Sequence, residues 1–256
     1  MIVCDEFKFI FIQNKQTACT VIASELVENY GGKHVLSKHD SYEKFLKIAT
    51  DEQKKYKKII GVRNPLDKTH AQYFKYTADH HDYSKPENWE ENGGWSHKSQ
   101  VQMFKDVNEN NFTFEDYFWK YLNYTYINFY FLPVFKYDFV MRFENLQNDF
   151  ATALSQLGVN QVRPLPVGNK TMVQKKSFED YYTTPEMRDS AIRNFGPFMK
   201  VVGYDFPDSW GECKVPLSSQ LKYSALTKAS ALTTKYSFLD HRKEPLRTIK
   251  LKLRGH

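Results

Sequence analysis

Three short apolar runs with β-forming character, at 7–12 (FKFIFI), 58–62 (KIIGV) and 137–143 (YDFVMRF), each pass through a polar stretch into helically spaced residues. Strand, loop and helix in that repeated order predict an α/β fold with a parallel sheet flanked by helices. The first helix is expected over 19–30, stopped by Gly31 and Gly32. A polar helix over 41–56 would turn Tyr42, Phe45, Leu46 and Ile48 inward, and another follows Pro65 with Thr69, Tyr73 and Tyr76. Further helices are expected over 114–122, 126–131, 149–157 and 185–195, while 79–97 reads as a long loop. Ligands of such sheets bind outside the carboxyl ends of the strands, so the polar loops at 13–17 and 63–65 are the places to look.

The chain of 256 residues is long enough to bury a core, and 41% hydrophobic with 26% charged residues is ordinary for a soluble globular protein. Its apolar runs all fall short of the ~18 residues of a membrane span. Asp5 and Glu6 stand where a secretory leader carries positive charge. Cys4, Cys19 and Cys213 are odd in number and widely spaced, which argues against a disulfide framework or a zinc site. A cytoplasmic protein with no membrane partner and no metal is expected. The charge of +6 is uneven: residues 214–256 hold ten Lys/Arg against two Asp/Glu, which leaves −2 for residues 1–213. A basic tail on a near-neutral body speaks against nucleic acid as the partner. The expected division is a domain over 1–210 and a basic extension over 211–256. Over 217–239 the extension has roughly helical apolar spacing, suited to packing on the domain or forming a homodimer contact.

Two constellations carry chemistry. In QNKQTACT (13–20) a βα loop offers backbone N–H groups and the positive end of a helix dipole to an anion. Lys15 adds charge, and Thr17 and Thr20 add hydroxyls; a solvated turn is the alternative. The Walker pattern is absent. In VRNPLDKTHAQY (62–73) Arg63 ends a strand and suits a bidentate phosphate contact, or equally a structural ion pair.

These loops, together with FVMRFENL (139–146) and the ending YYTTPEMRDSAIRNFGPFMKVVGYDF (181–206), resemble in order and spacing the sulfotransferase superfamily, in its carbohydrate and bacterial branch. The resemblance covers residues 7–206. It implies a P-loop-NTPase-like sulfotransferase fold and transfer of a sulfuryl group from 3′-phosphoadenosine 5′-phosphosulfate (PAPS) to a small acceptor, leaving 3′-phosphoadenosine 5′-phosphate (PAP). By position, Lys15 matches the lysine on the phosphosulfate, with Gln16, Thr17, Ala18, Cys19 and Thr20 completing the loop. Either Cys19 or Thr20 takes the family's threonine place. Arg63 matches the 3′-phosphate arginine. Ala71 stands where the family has serine, so one hydroxyl contact is missing unless Thr69, Gln72 or the lysines of 170–176, Lys170 among them, substitute.

An acceptor that loses a proton calls for a general base. His39, in SKHDSYE where many relatives read kHxsaxe, is the first choice, with a surface histidine as the alternative and His70, His80, His81, His97 and Glu25 as competitors. Residues 79–91 hold Asp79, Asp82, Glu87, Glu90 and Glu91 with Tyr83 and Trp89 interleaved. With His80 and His81 they suit a cationic acceptor, such as an amine or a guanidinium alkaloid of the saxitoxin type. A solvated acidic loop is the alternative, and a neutral sugar then becomes the acceptor to expect. Hydroxyl oxygen and amine or carbamoyl nitrogen both remain open as the atom sulfated. A P-loop-like kinase and a non-catalytic module with a docking tail are the competing functions.

Overall fold

The segment Phe9–Ile12 is apolar at every position because both of its faces are covered. A computed structural model describes residues 1–132, 136–166 and 177–236, and there this segment is strand β2, between β1 (Ile2–Cys4) and β4 (Lys57–Val62). Side chains alternate across a strand. Phe9 and Phe11 therefore enter a core with Ile22 and Leu26 of helix α1 (Cys19–Asn29) and Phe150 and Leu154 of α6 (Leu146–Gln156). Ile10 and Ile12 enter the opposite core, with Tyr42 and Phe45 of α2 (Tyr42–Ile48) and Phe198 of α7 (Pro185–Val202).

The sheet order is β3-β1-β2-β4-β5, with β3 at Lys33–His34 and β5 at Phe139–Arg142. The strands expected from sequence, β2, β4 and β5, run parallel, in register Phe11↔Ile59 and Ile59↔Phe139. The sheet as a whole is mixed, however, which corrects the all-parallel expectation. β1 pairs antiparallel with both β2 and β3. The link from Cys4 to Phe9 is too short for the crossover a parallel neighbour needs.

A third core is helical. Leu66 and Tyr76 of α3 (Pro65–Thr77), Phe104 of α4 (Lys98–Asn108), Phe118 of α5 (Phe114–Tyr121) and Phe195 of α7 meet there. Helix α8 (Leu217–Tyr236) packs against α7 and buries Tyr223.

Two helix expectations need correction. α2 stops at Ile48, a separate 3-10 turn covers Gln53–Lys55, and Leu46 and Ile48 face solvent. Residues 126–131 form no helix. The expected loop over 79–97 ends where α4 starts, at His97, whose side chain and Gln100 form a reciprocal cap; α4 itself is an additional helix.

Candidate active site

The β2–α1 loop is shaped by contacts with the neighbouring strand. Asn14 Nδ2 donates to the Gly61 carbonyl at 2.7 Å, and Thr17 Oγ1 donates to the Asn14 carbonyl at 3.0 Å. Thr17 lies directly on Gly61, where a built Cβ would come within 2.7 Å of Thr17 Oγ1. A side chain on β4 would therefore push the loop away. Gln16 and Ala18 are left-handed, with φ of 63° and 54°, an uncommon state for residues with a Cβ. Ala18 is the N-cap of α1, which has no side-chain cap and no acid in its first turn. The first N–H groups of the helix and its positive dipole end thus have no side-chain cap, and the exposed Lys15 lies in the loop that leads into them.

Of the two residues competing for the threonine place, Cys19 is buried in the sheet core, and burial raises its thiol pKa. Thr20 is exposed on the first turn of α1. Thr20 is therefore the hydroxyl available at the loop.

His39 approaches the same loop. Its Nδ1 lies 2.9 Å from the Gln13 carbonyl, so Nδ1 carries the proton and Nε2 is the acceptor in the neutral ring. Burial lowers its pKa; the charges of Lys15 and Lys38 act the same way, against the hydrogen bond to Gln13. The competitors are committed elsewhere. Glu25 is buried in an ion pair with Arg163, at 2.9 Å. His97 caps α4. His70 is fully buried among Phe74, Phe114 and Tyr181, with neither ring nitrogen hydrogen-bonded.

Arg63 stands at the carboxyl end of β4. Its Nε donates to Asp67 at 2.6 Å and its guanidinium lies 4.2 Å from the Phe143 ring centroid. Glu144 binds the loops here: it accepts from the Asn64 N–H at 2.9 Å and from the Tyr204 hydroxyl at 2.6 Å. The segments RFENL and GYDF thus meet the Arg63–Asn64 turn physically. Ala71 is buried in α3, and the Thr69 hydroxyl is engaged with the Pro65 carbonyl and Tyr182. Gln72 bonds Gln16. Lys170 lies outside the described residues.

Beside the loop opens a cavity of about 490 Å³. Lys15 and Gln16 form one edge, and Lys68, Thr69 and Gln72 of α3 form a wall. The irregular segment from Tyr124 to Tyr130 covers it, and Lys222, Leu226, Ala229 and Ser230 project from one face of α8. Its lining includes three lysines and no carboxylate among the described residues. Lys68 is half-buried, with Nζ 3.2 Å from the Tyr126 hydroxyl; burial, with the Arg63 charge in second place, brings its pKa down to about 8. The His39 ring lies 6.2 Å from that of Tyr130, another lining residue.

The acidic loop is not brought to this cavity. Asp79 accepts from the Tyr83 and Ser84 N–H groups of its own turn, and Asp82 pairs with Lys85 at 3.0 Å. Glu90 lies 3.4 Å from His97, and the Trp89 face is covered by Lys105. His80 stacks edge-on with His81, which meets Tyr83 and Trp95. Lys68, Lys222 and the Tyr124–Tyr130 segment escaped the sequence reading. The 222, 226, 229, 230 spacing marks one helix face, but nothing local shows what that face covers.

No cluster of three potential metal ligands occurs among the described residues, and no described helix is long and apolar enough to cross a membrane. No family model matches the chain, nor does any curated protein or solved structure.

Proposed function

We propose that this protein is a PAPS-dependent sulfotransferase with a P-loop-like arrangement of its parallel strands. One observation carries the reading: the β2–α1 loop sets Lys15 and Gln16 at the edge of a cavity with no carboxylate among its described lining residues and leads into a helix N-terminus that has no side-chain cap, with His39 hydrogen-bonded to that same loop. These groups fit a phosphosulfate. Residues 15–20 would hold it, with Arg63 at the 3′-phosphate once its guanidinium shares Asp67 or leaves it.

Bound PAPS supplies the sulfuryl group: as the acceptor oxygen bonds to sulfur, the S–O bond to the phosphate breaks and its electron pair stays on that oxygen. Lys15 and the helix N–H groups offset the charge that builds there, a stabilisation of about 3–4 kcal/mol per well-placed donor. Nε2 of His39 takes the proton released by an acceptor hydroxyl. Nδ1, fixed by the Gln13 carbonyl, keeps the ring in the tautomer that can do so.

The test compares PAP with ATP in equilibrium binding, and follows an ~80-dalton gain on a phenol panel with PAPS, the mass of an added SO₃. Lys15→Ala should reduce turnover on the order of a hundredfold and leave the melting temperature unchanged, because Lys15 is exposed and outside the core. ATP binding in preference to PAP would favour a kinase and end this reading.

A further inference from the structure

The cavity has two chemically different parts, which bear on what it accepts. One edge is the β2–α1 loop with Lys15 and Gln16. Away from that loop the lining is aromatic and aliphatic, with Tyr117, Tyr126 and Phe195 inside and Leu226 on α8. Two further lysines line the cavity. Lys68 comes from α3 with the Tyr126 ring 5.8 Å from its ammonium, and Lys222 comes from α8 at the exposed rim. Neither lysine has an ion-pair partner among the described residues, and no carboxylate shares the lining. A cationic guest would meet three positive charges and no counter-charge among the described lining residues. An aromatic guest bearing an anion would bury its ring among the tyrosines and find its charge satisfied.

We infer that the acceptor is an anionic aromatic molecule, a phenol or alcohol carrying a carboxylate or comparable group, with its ring in the Tyr117–Tyr126–Phe195 part of the cavity and its anion between Lys68 and Lys222. This rests on the sulfotransferase reading and deepens it. Arg63 does not line the cavity, so the lysines of the α3 and α8 walls are free of the 3′-phosphate role given to that arginine. Lys68, half-buried, contributes most, and the rim position of Lys222 makes its share small.

Three probes share one phenol: 4-hydroxyphenylacetate, its methyl ester and tyramine. Their binding to the PAP complex is measured by calorimetry and their sulfation by mass. Wild-type protein should prefer the acid over the ester on the order of tenfold, and the ester over tyramine. Lys68→Met should abolish the preference for the acid with PAP affinity unchanged, and Lys222→Glu should weaken it about threefold. Raising the pH through about 8 should erode the preference as Lys68 loses its charge. Equal handling of the three probes, or a preference for tyramine, overturns the inference while PAP binding upholds the sulfotransferase. Loss of PAP affinity in Lys68→Met would assign the lysine to the cofactor and overturn it also. If wild-type protein binds no PAP yet still prefers the acid in a Lys68-dependent way, the anion site stands and the sulfotransferase reading falls.

Discussion

At the scale of single residues, the most informative histidine is His39. Its hydrogen bond to Gln13 fixes which nitrogen can accept, and burial holds its pKa below the ordinary value near 6.5. The base form is therefore present throughout the neutral range. The acidic limb of a kcat profile should lie below pH ~6.5, and His39→Gln should remove the limb together with most of the rate. A limb that persists in the variant would assign the proton to another group. Cys19 and Thr20 show the same dependence on environment. The two are adjacent in sequence, and only burial distinguishes a core thiol from an exposed hydroxyl.

At the scale of elements, the loop between β2 and α1 depends on the strand beside it. Gly61 leaves room for Thr17, and a Cβ there would meet both Thr17 Oγ1 at 2.7 Å and Thr17 Cβ at 3.0 Å. Gly61→Ala should cost about 1–3 kcal/mol by overpacking and lower PAP affinity, since the left-handed Gln16 and Ala18 shift with the loop. Adding Thr17→Ala should recover part of the stability, measured by urea midpoints as a non-additive double-mutant cycle. Two fully additive losses would show that the close approach does not set the loop. Helix α4 is only partly legible in the sequence: Val101, Phe104 and Val107 recur at helical spacing, but its N-cap is a histidine, which marks a helix start weakly. The reverse happened at 126–131, where aromatic residues with helical spacing instead cover a cavity in an irregular backbone. Leu46 and Ile48 belong to α2 and are apolar, yet only Tyr42 and Phe45 of that helix reach the core.

For the molecule as a whole, His70 links folding to pH. Burial lowers its pKa to about 4, so the folded state binds fewer protons than the unfolded state between about pH 4 and 6.5. The sign follows: this contribution is complete above about pH 6.5, falls as the pH drops, and is exhausted near pH 4. Wild-type protein should lose about 2 kcal/mol between pH 7 and pH 5 through this group, and His70→Phe should flatten that slope in urea titrations. An unchanged slope in the variant would place the proton uptake elsewhere. The sequence by itself determined the α/β class, the three parallel strands and the two loops at their carboxyl ends. Those follow from hydrophobic periodicity and chain punctuation, which are local properties. Tertiary structure alone decided that β1 and β3 complete the sheet antiparallel and that Glu144 ties the Arg63 turn to Tyr204. It also decided that Asp79 and Asp82 find partners within their own loop, and that α8 brings Lys222 to a cavity also lined by Lys15 and Lys68. Each of these joins residues through space or through local polar competition, and hydrophobic spacing along the chain carries no record of which partner a charged side chain will meet.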